Sequence, residues 1–172
     1  MLNPSTRPQT MKSKPDKDLI IKGFIQKFEA ELAALIQSAK AAHTAATHEE
    51  SKAEDRHDTF AIEASYLAAG QATRVAELEK TLQEFEGFLT GGISHTQIAL
   101  GSLITYQLDD KTFHAFVSSL GGGSKIQIDS TTIQTLSLQS PLGEALEGSK
   151  VDEEIEFEVR GSEKVYKIIS IQ

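Results

Sequence analysis

The chain has no cysteine and no tryptophan among its 172 residues. Disulfides and cysteine-ligated zinc are therefore excluded, and the absence is in keeping with a reducing compartment. Only 6% of the residues are aromatic and only four are proline, a composition suited to long helices with a thin apolar seam. No apolar run approaches the ~20 residues that a bilayer-spanning helix needs. Positive charge is also in short supply: 17 Lys and Arg stand against 25 Asp and Glu, for a net charge of −8. That argues against DNA or RNA binding through phosphate neutralisation. What is present, 39% hydrophobic and 24% charged residues, is ordinary for a soluble globular protein. The length allows one compact domain with an extension, or two small domains.

Residues 1–18 (MLNPSTRPQTMKSKPDKD) contain charges and prolines but no apolar core, so they do not read as a secretory signal. They are expected to form a disordered leader, with Met11 as an alternative start. From Leu19 to Ala46 proline is absent and apolar residues recur at three- and four-residue steps: Ile21, Phe24, Phe28, Leu32, Leu35, Ala39, Ala42, Ala46. This is one face of an α-helix ~42 Å long. A second helix is expected from about Arg56 to Phe88, carried by Ile62, Ala69, Ala72, Val75, Leu78, Leu82 and Phe85. It ends where Thr90-Gly91-Gly92 supplies glycine. A short polar segment joins the two, which predicts an antiparallel coiled-coil hairpin over 19–90 with its tip near 47–58. Phe24, Phe28, Leu82 and Phe85 gather at the end far from the tip, and the seam near the tip is alanine. Small side chains bury little area each, so the distal half reads as a slender probe.

After Gly92 the apolar period changes from helical steps to alternation. Ile104–Leu108 and Phe113–Val117 flank the turn Asp109-Asp110-Lys111, and read as a β-hairpin. Lys125–Asp129, Ile133–Leu138, Ile155–Val159 and Val165–Ile171 are further strands. Ser140-Pro141-Leu142-Gly143-Glu144-Ala145-Leu146 is a short helix, with Ser140 as N-cap and Pro141 in the first helical position. The expected fold class is therefore α+β: a helical hairpin, then a small antiparallel β domain over 91–172 crossed by one short helix.

The segment SPLGEALEGSKVDEEIEFEVRGSEKVYKIISI, Ser140 to Ile171, resembles the C-terminal domain of the bacterial GreA/GreB transcript cleavage factors. The Ser-Pro-hydrophobic-Gly turn into a short helix, the Leu-x-Gly after it, the acidic turn and the closing Tyr-x-Ile strand carry the resemblance. Gly101-Ser102 adds to it. So do Tyr66-Leu67-Ala68-Ala69 and Arg74-Val75-Ala76-Glu77-Leu78-Glu79, which look like the second coiled-coil helix of those factors. The resemblance implies an FKBP-like second domain, without implying prolyl isomerase activity. It also implies a cytoplasmic, monomeric accessory factor of RNA polymerase rather than an enzyme in its own right. In that family the coiled coil enters the secondary channel of RNA polymerase. Acids at its tip help to hold a catalytic Mg²⁺ for cleavage of backtracked RNA, close to the nascent RNA 3′ end. Such chemistry needs carboxylate oxygens beside the scissile phosphate, because Mg²⁺ takes oxygen ligands and the polymerase owns the rest of the site.

The tip sequence His48–Asp58, HEESKAEDRHD, carries five carboxylates. Asp55 and Asp58 have the i, i+3 spacing of the family's acidic pair, which puts both on one helical face. They are the candidate metal-presenting residues, with Glu54 as a third. A gapless register from Arg74-Val75-Ala76-Glu77 instead brings Glu54 and His57 to those positions, and the family's following Asn-Ala-Glu-Tyr is missing. Glu50, Lys52 and Arg56 at the tip, and Ser140 in the β domain, are candidate partner contacts. The acids also have a structural reading. Thr47-x-x-Glu50 and Ser51-x-x-Glu54 both fit a capping box, and acids near a helix N-terminus are favoured by its dipole.

The remaining motifs favour bland readings. No pair among His43, His48, His57, His95 and His114 has a metal-binding spacing, and Gly121-Gly122-Gly123-Ser124-Lys125 lacks the P-loop spacing and reads as a flexible connection. Two functions remain beside cleavage stimulation: a channel-binding modulator that does not stimulate cleavage, and a plain protein-interaction module. A self-associating coil would need a second stripe of large apolar residues, and the alanine-rich distal half has none.

Overall fold

The computed structural model describes residues 16–49, 57–91 and 94–172, with side chains throughout these ranges except 42–49 and 57–69. Two long helices come first, α1 (Lys17–Glu49) and α2 (His57–Gly91). Helix α1 begins two residues before Leu19 because Asp16 caps it: its Oδ1 accepts from the backbone N–H of Asp18 at 3.0 Å. Lys17 and Asp18, read as leader, are thus helical; residues 1–15 of that leader lie outside the described residues. Thr47 falls inside the last turn of α1, so it is not the N-cap that the pattern Thr47-x-x-Glu50 suggested. No helix among the described residues is long and apolar enough to cross a membrane.

Six strands follow: β1 (Leu103–Leu108), β2 (Lys111–Ser118), β3 (Lys125–Ile128), β4 (Thr131–Ser137), β5 (Glu154–Val159) and β6 (Ser162–Ile171), with helix α3 (Pro141–Leu146) between β4 and β5. They form one sheet in the order β3-β4-β2-β1-β6-β5. The tight turns follow local chemistry. Asp109 and Asp110 at φ 47° and 61°, and Arg160 with Gly161 at φ 53° and 79°, give the positive-φ pairs of hairpin turns whose twist matches the strands.

The expected all-antiparallel sheet needs one correction. Strand β2 pairs with β4 in parallel, Phe116 opposite Thr135 and Val117 opposite Leu136, so the sheet is mixed. Burial explains the arrangement. Strand β4 buries Ile133, Thr135 and Leu136, whereas β3 buries none of its residues fully. The more apolar strand takes the inner place beside β2, and β3 folds back outside it as the edge.

The two faces of the sheet carry two cores. Ile104, Ala115, Val117, Leu136, Tyr166 and Ile168 lie with Leu146 of α3 in one. Leu103, Phe116 and Ile133 lie with Ile20, Ile21, Phe24 and Phe28 of α1 and Leu78 and Phe85 of α2 in the other. The bases of the helices are thus antiparallel to each other and built into the sheet. Phe85 sits at the centre, its ring 5.4 Å from Phe24, 5.2 Å from Phe28, 5.6 Å from Phe88 and 5.4 Å from Phe116. Truncating so enclosed a ring leaves a cavity that its neighbours cannot fill. Phe85→Ala is expected to lower unfolding stability by about 3–5 kcal/mol, measured by urea denaturation. Gln83, two residues earlier on the same helix, is exposed. Gln83→Ala should therefore change stability by less than about 0.5 kcal/mol in the same measurement.

Candidate functional site

Past Phe28 in α1, and before Leu78 in α2, none of the side chains described is buried. From Phe28 to Glu49, α1 continues for about 30 Å at ~1.5 Å per residue, and α2 from His57 to Leu78 is of equal length. The helices therefore form an arm whose apolar anchorage lies at one end. Ala39 is half-buried and Ala41 exposed; the other alanines of the expected seam near the tip lie outside the described side chains. Of the tip residues, Glu50, Lys52, Glu54, Asp55 and Arg56 lie outside the described residues. Asp58 is the second residue of α2, placed by its backbone only. Among the described residues no group of three or more His, Asp or Glu could hold a metal ion.

The opposite end of the arm is described in full. Glu84 of α2 reaches the loop after β2. Its Oε1 accepts from the backbone N–H of Ser119 at 2.7 Å and from the Ser119 hydroxyl at 2.5 Å. Its Oε2 accepts from the N–H of Leu120 at 2.9 Å. Next to it, Gly121 has φ +66°, and a Cβ there would meet Thr81 Cγ2 at 2.9 Å and Phe28 Cζ at 3.0 Å. Glycine is needed both for the left-handed backbone and for the close approach of the loop to the two helices. The loop is pinned from the sheet side as well: the Thr135 hydroxyl donates to Gly121 O at 2.5 Å and accepts from Ser124 N–H at 2.9 Å. The glycine run read as a flexible connection is therefore the seat of the arm. Sequence spacing carried no sign of this, because Glu84 and Ser119 are 35 residues apart.

At the start of α1, Lys17 Nζ donates to the backbone oxygen of Gln172 at 3.2 Å. Burial lowers the Lys17 pKa, partly offset by Asp18. Burial likewise lowers that of His95, with Lys17 adding to the effect. On the other face of the sheet, burial raises the pKa of Tyr106 and of Tyr166. Their rings lie 5.6 Å apart, and Phe113 stacks on Tyr106 at 5.5 Å.

Ser140 lies where the sequence placed it, as N-cap of α3. Its Oγ accepts from Gly143 N–H at 3.1 Å and donates to Ser137 O at 2.7 Å. Gly143 is required by close approach, since a Cβ there would overlap the carbonyl of Ser137. The Ser-Pro-Leu-Gly turn thus seats a short helix against the end of β4.

Residues 93–172 match the family model described as "Transcription elongation factor, GreA/GreB, C-term". The C-terminal domain is thus similar to that family over a stretch just short of half the chain. Among solved structures the chain is similar to GreA factor homolog 1 (Gfh1) of Thermus thermophilus, at 16% identity over 86% of this chain and 94% of that one, with a TM-score of 0.35. It is also similar to Thermus aquaticus Gfh1, at 17% identity over 87% and 93% of the two chains and a TM-score of 0.37. A GreA/GreB elongation factor from Nitrosomonas europaea shares 18% identity over 48% of this chain and 65% of that one, with a TM-score of 0.34. No curated protein matches the chain.

The Ser140 hydroxyl has one internal donor and one internal acceptor, which makes its first role that of a cap. Ser140→Ala is expected to cost about 1 kcal/mol of stability, measured by thermal or urea unfolding, with the strand content unchanged by circular dichroism.

Proposed function

We propose that the chain is a bacterial transcription elongation regulator that binds RNA polymerase at its secondary channel and modulates it from there. The C-terminal domain, FKBP-like in this reading, docks at the channel rim, and the helical arm reaches toward the active site. The protein acts in the cytoplasm, as a monomer, and as an accessory to the polymerase rather than as an enzyme. The observation that carries the reading is the match of residues 93–172 to the GreA/GreB C-terminal family, in a domain whose core also anchors two long helices. An acidic chain, net −8, suits a protein partner better than a nucleic-acid surface.

The finer reading is that Asp55 and Asp58, with Glu54, present carboxylate oxygens to the polymerase's Mg²⁺ and promote cleavage of backtracked RNA. The Mg²⁺ in that case belongs to the polymerase site, and this chain supplies only ligands. The i, i+3 spacing of Asp55 and Asp58 supports it. Against it stand the alternative register, which brings His57 to an acid's place, and the missing Asn-Ala-Glu-Tyr. A histidine there gives a neutral or cationic group where the metal needs an anionic oxygen. Modulation without stimulated cleavage is therefore the leading reading. Glu50, Lys52, Arg56 and Ser140 remain the proposed contacts with the polymerase.

Purified, backtracked bacterial elongation complexes with Mg²⁺ provide the test. The protein alone is expected to leave RNA cleavage at its basal rate, and to suppress the cleavage stimulated by a bona fide cleavage factor as its concentration rises. Stimulation that disappears in Asp55→Ala plus Asp58→Ala would replace this reading with the metal-presenting one. Neither stimulation nor competition would leave an interaction module with another partner.

A further inference from the structure

We propose that Glu84 is a positioning residue that indexes the direction of the helical arm against the sheet. The inference rests on the reading of the arm as a probe of the polymerase channel, and gives that probe its aim. Two kinds of contact hold the arm at its seat. The first is the aromatic cluster of Phe24, Phe28, Phe85, Phe88 and Phe116, whose interplanar angles run from 21° to 82°. The driving force for such apolar contact is strong but non-directional. The second is the Glu84 carboxylate, which takes three donors from two successive residues. Charge-assisted hydrogen bonds are shorter and roughly twice as strong as neutral ones, and they fix direction as well as distance.

The donor cup is held independently of Glu84. The Ser118 hydroxyl donates to Leu120 O at 2.7 Å. Thr135 holds Gly121 O and Ser124 N–H from the sheet side. Gly122 lies against Ser137, where a Cβ would come within 3.0 Å of the Ser137 Cβ. The loop that carries the Ser119 and Leu120 N–H groups is thus held from the sheet side as well, and α2 brings a carboxylate that fits them. One turn earlier on the same helix, Thr81 packs on Gly121, so carboxylate and methyl together fix α2 both along and around its axis.

Leverage makes the index matter. From Glu84 to His57, α2 runs for about 40 Å at ~1.5 Å per residue. A pivot of about 10° at the seat would carry the far end through about 7 Å, far beyond the tolerance of any residue that must meet a partner's active site.

The absence of cysteine allows a direct test. Spin labels at Ala72→Cys on the arm and Glu158→Cys on β5, both exposed positions, report the arm-to-sheet distance in the full chain. The wild-type background is expected to give one narrow distance distribution. Glu84→Gln keeps the volume but turns an amide N–H₂ toward a backbone N–H, and is expected to broaden or split that distribution with helix content unchanged. Ser119→Ala removes one donor only and should broaden it less; it also serves if the glutamine variant folds poorly. In competition on elongation complexes, a fall of the correctly aimed fraction to about one tenth would weaken apparent affinity about tenfold. A distribution equally narrow in wild type and both variants overturns the proposal and leaves the aim to the apolar core and the Lys17–Gln172 contact. The distance measurement contains no polymerase, so a wild-type protein that fails to compete sinks the polymerase reading alone.

Discussion

The packing of Phe116 of the sheet against Phe24, Phe85 and Phe88 of the helices is the contact on which the architecture depends. A slender two-helix arm buries too little apolar surface by itself to offset the entropy of ordering it. Nor can the small sheet leave Leu103, Phe116 and Ile133 in water on its second face. Each half supplies what the other lacks, and the five phenylalanines meet where the two deficits coincide. The arm is anchored at its base for that reason, and no side chain described beyond Phe28 or before Leu78 in the two helices is buried.

Around this apolar centre the polar groups supply direction. Glu84 meets the Ser119–Leu120 turn on the α2 side, and Lys17 reaches Gln172 at the start of α1. Among the described residues no buried side-chain nitrogen or oxygen is without a hydrogen-bond partner, as expected of a native interior. The surface ion pairs, Lys27 with Glu31 and Arg74 with Glu77, follow helix spacing and contribute little individually. Among the described residues no Asp or Glu side chain is fully buried.

Much of the architecture was legible because its signals are local. The helical steps of Ile21, Phe24 and Phe28, the Ser140 cap with Pro141, and the alternation of Ile155, Phe157 and Val159 each act within a few residues. The start of α1 moved by two positions, because Asp16 caps it ahead of Leu19; α2 is described from His57, and its expected start at Arg56 lies outside the described residues. Two features were not legible. The parallel pairing of β2 with β4 depends on which strand buries more, a comparison across the whole sheet. The seat at Glu84 joins residues 35 positions apart through backbone donors, which have no sequence signature. At the tip, Asp55, Asp58 and Glu54 were chosen by spacing and resemblance, and two registers of the same acids satisfy those criteria unequally.

The base of the hairpin and the sheet share a core and are expected to open together. Native-state hydrogen exchange tests it most directly, by comparing amides near Phe24 and Phe85 with those near Phe116 in β2. One common opening free energy is expected for these three stretches, with faster exchange along α1 beyond Phe28 and along α2 before Leu78. Helix amides near Phe24 and Phe85 that exchange freely while β2 stays protected would contradict it, and would make the arm an independent unit merely resting on the sheet.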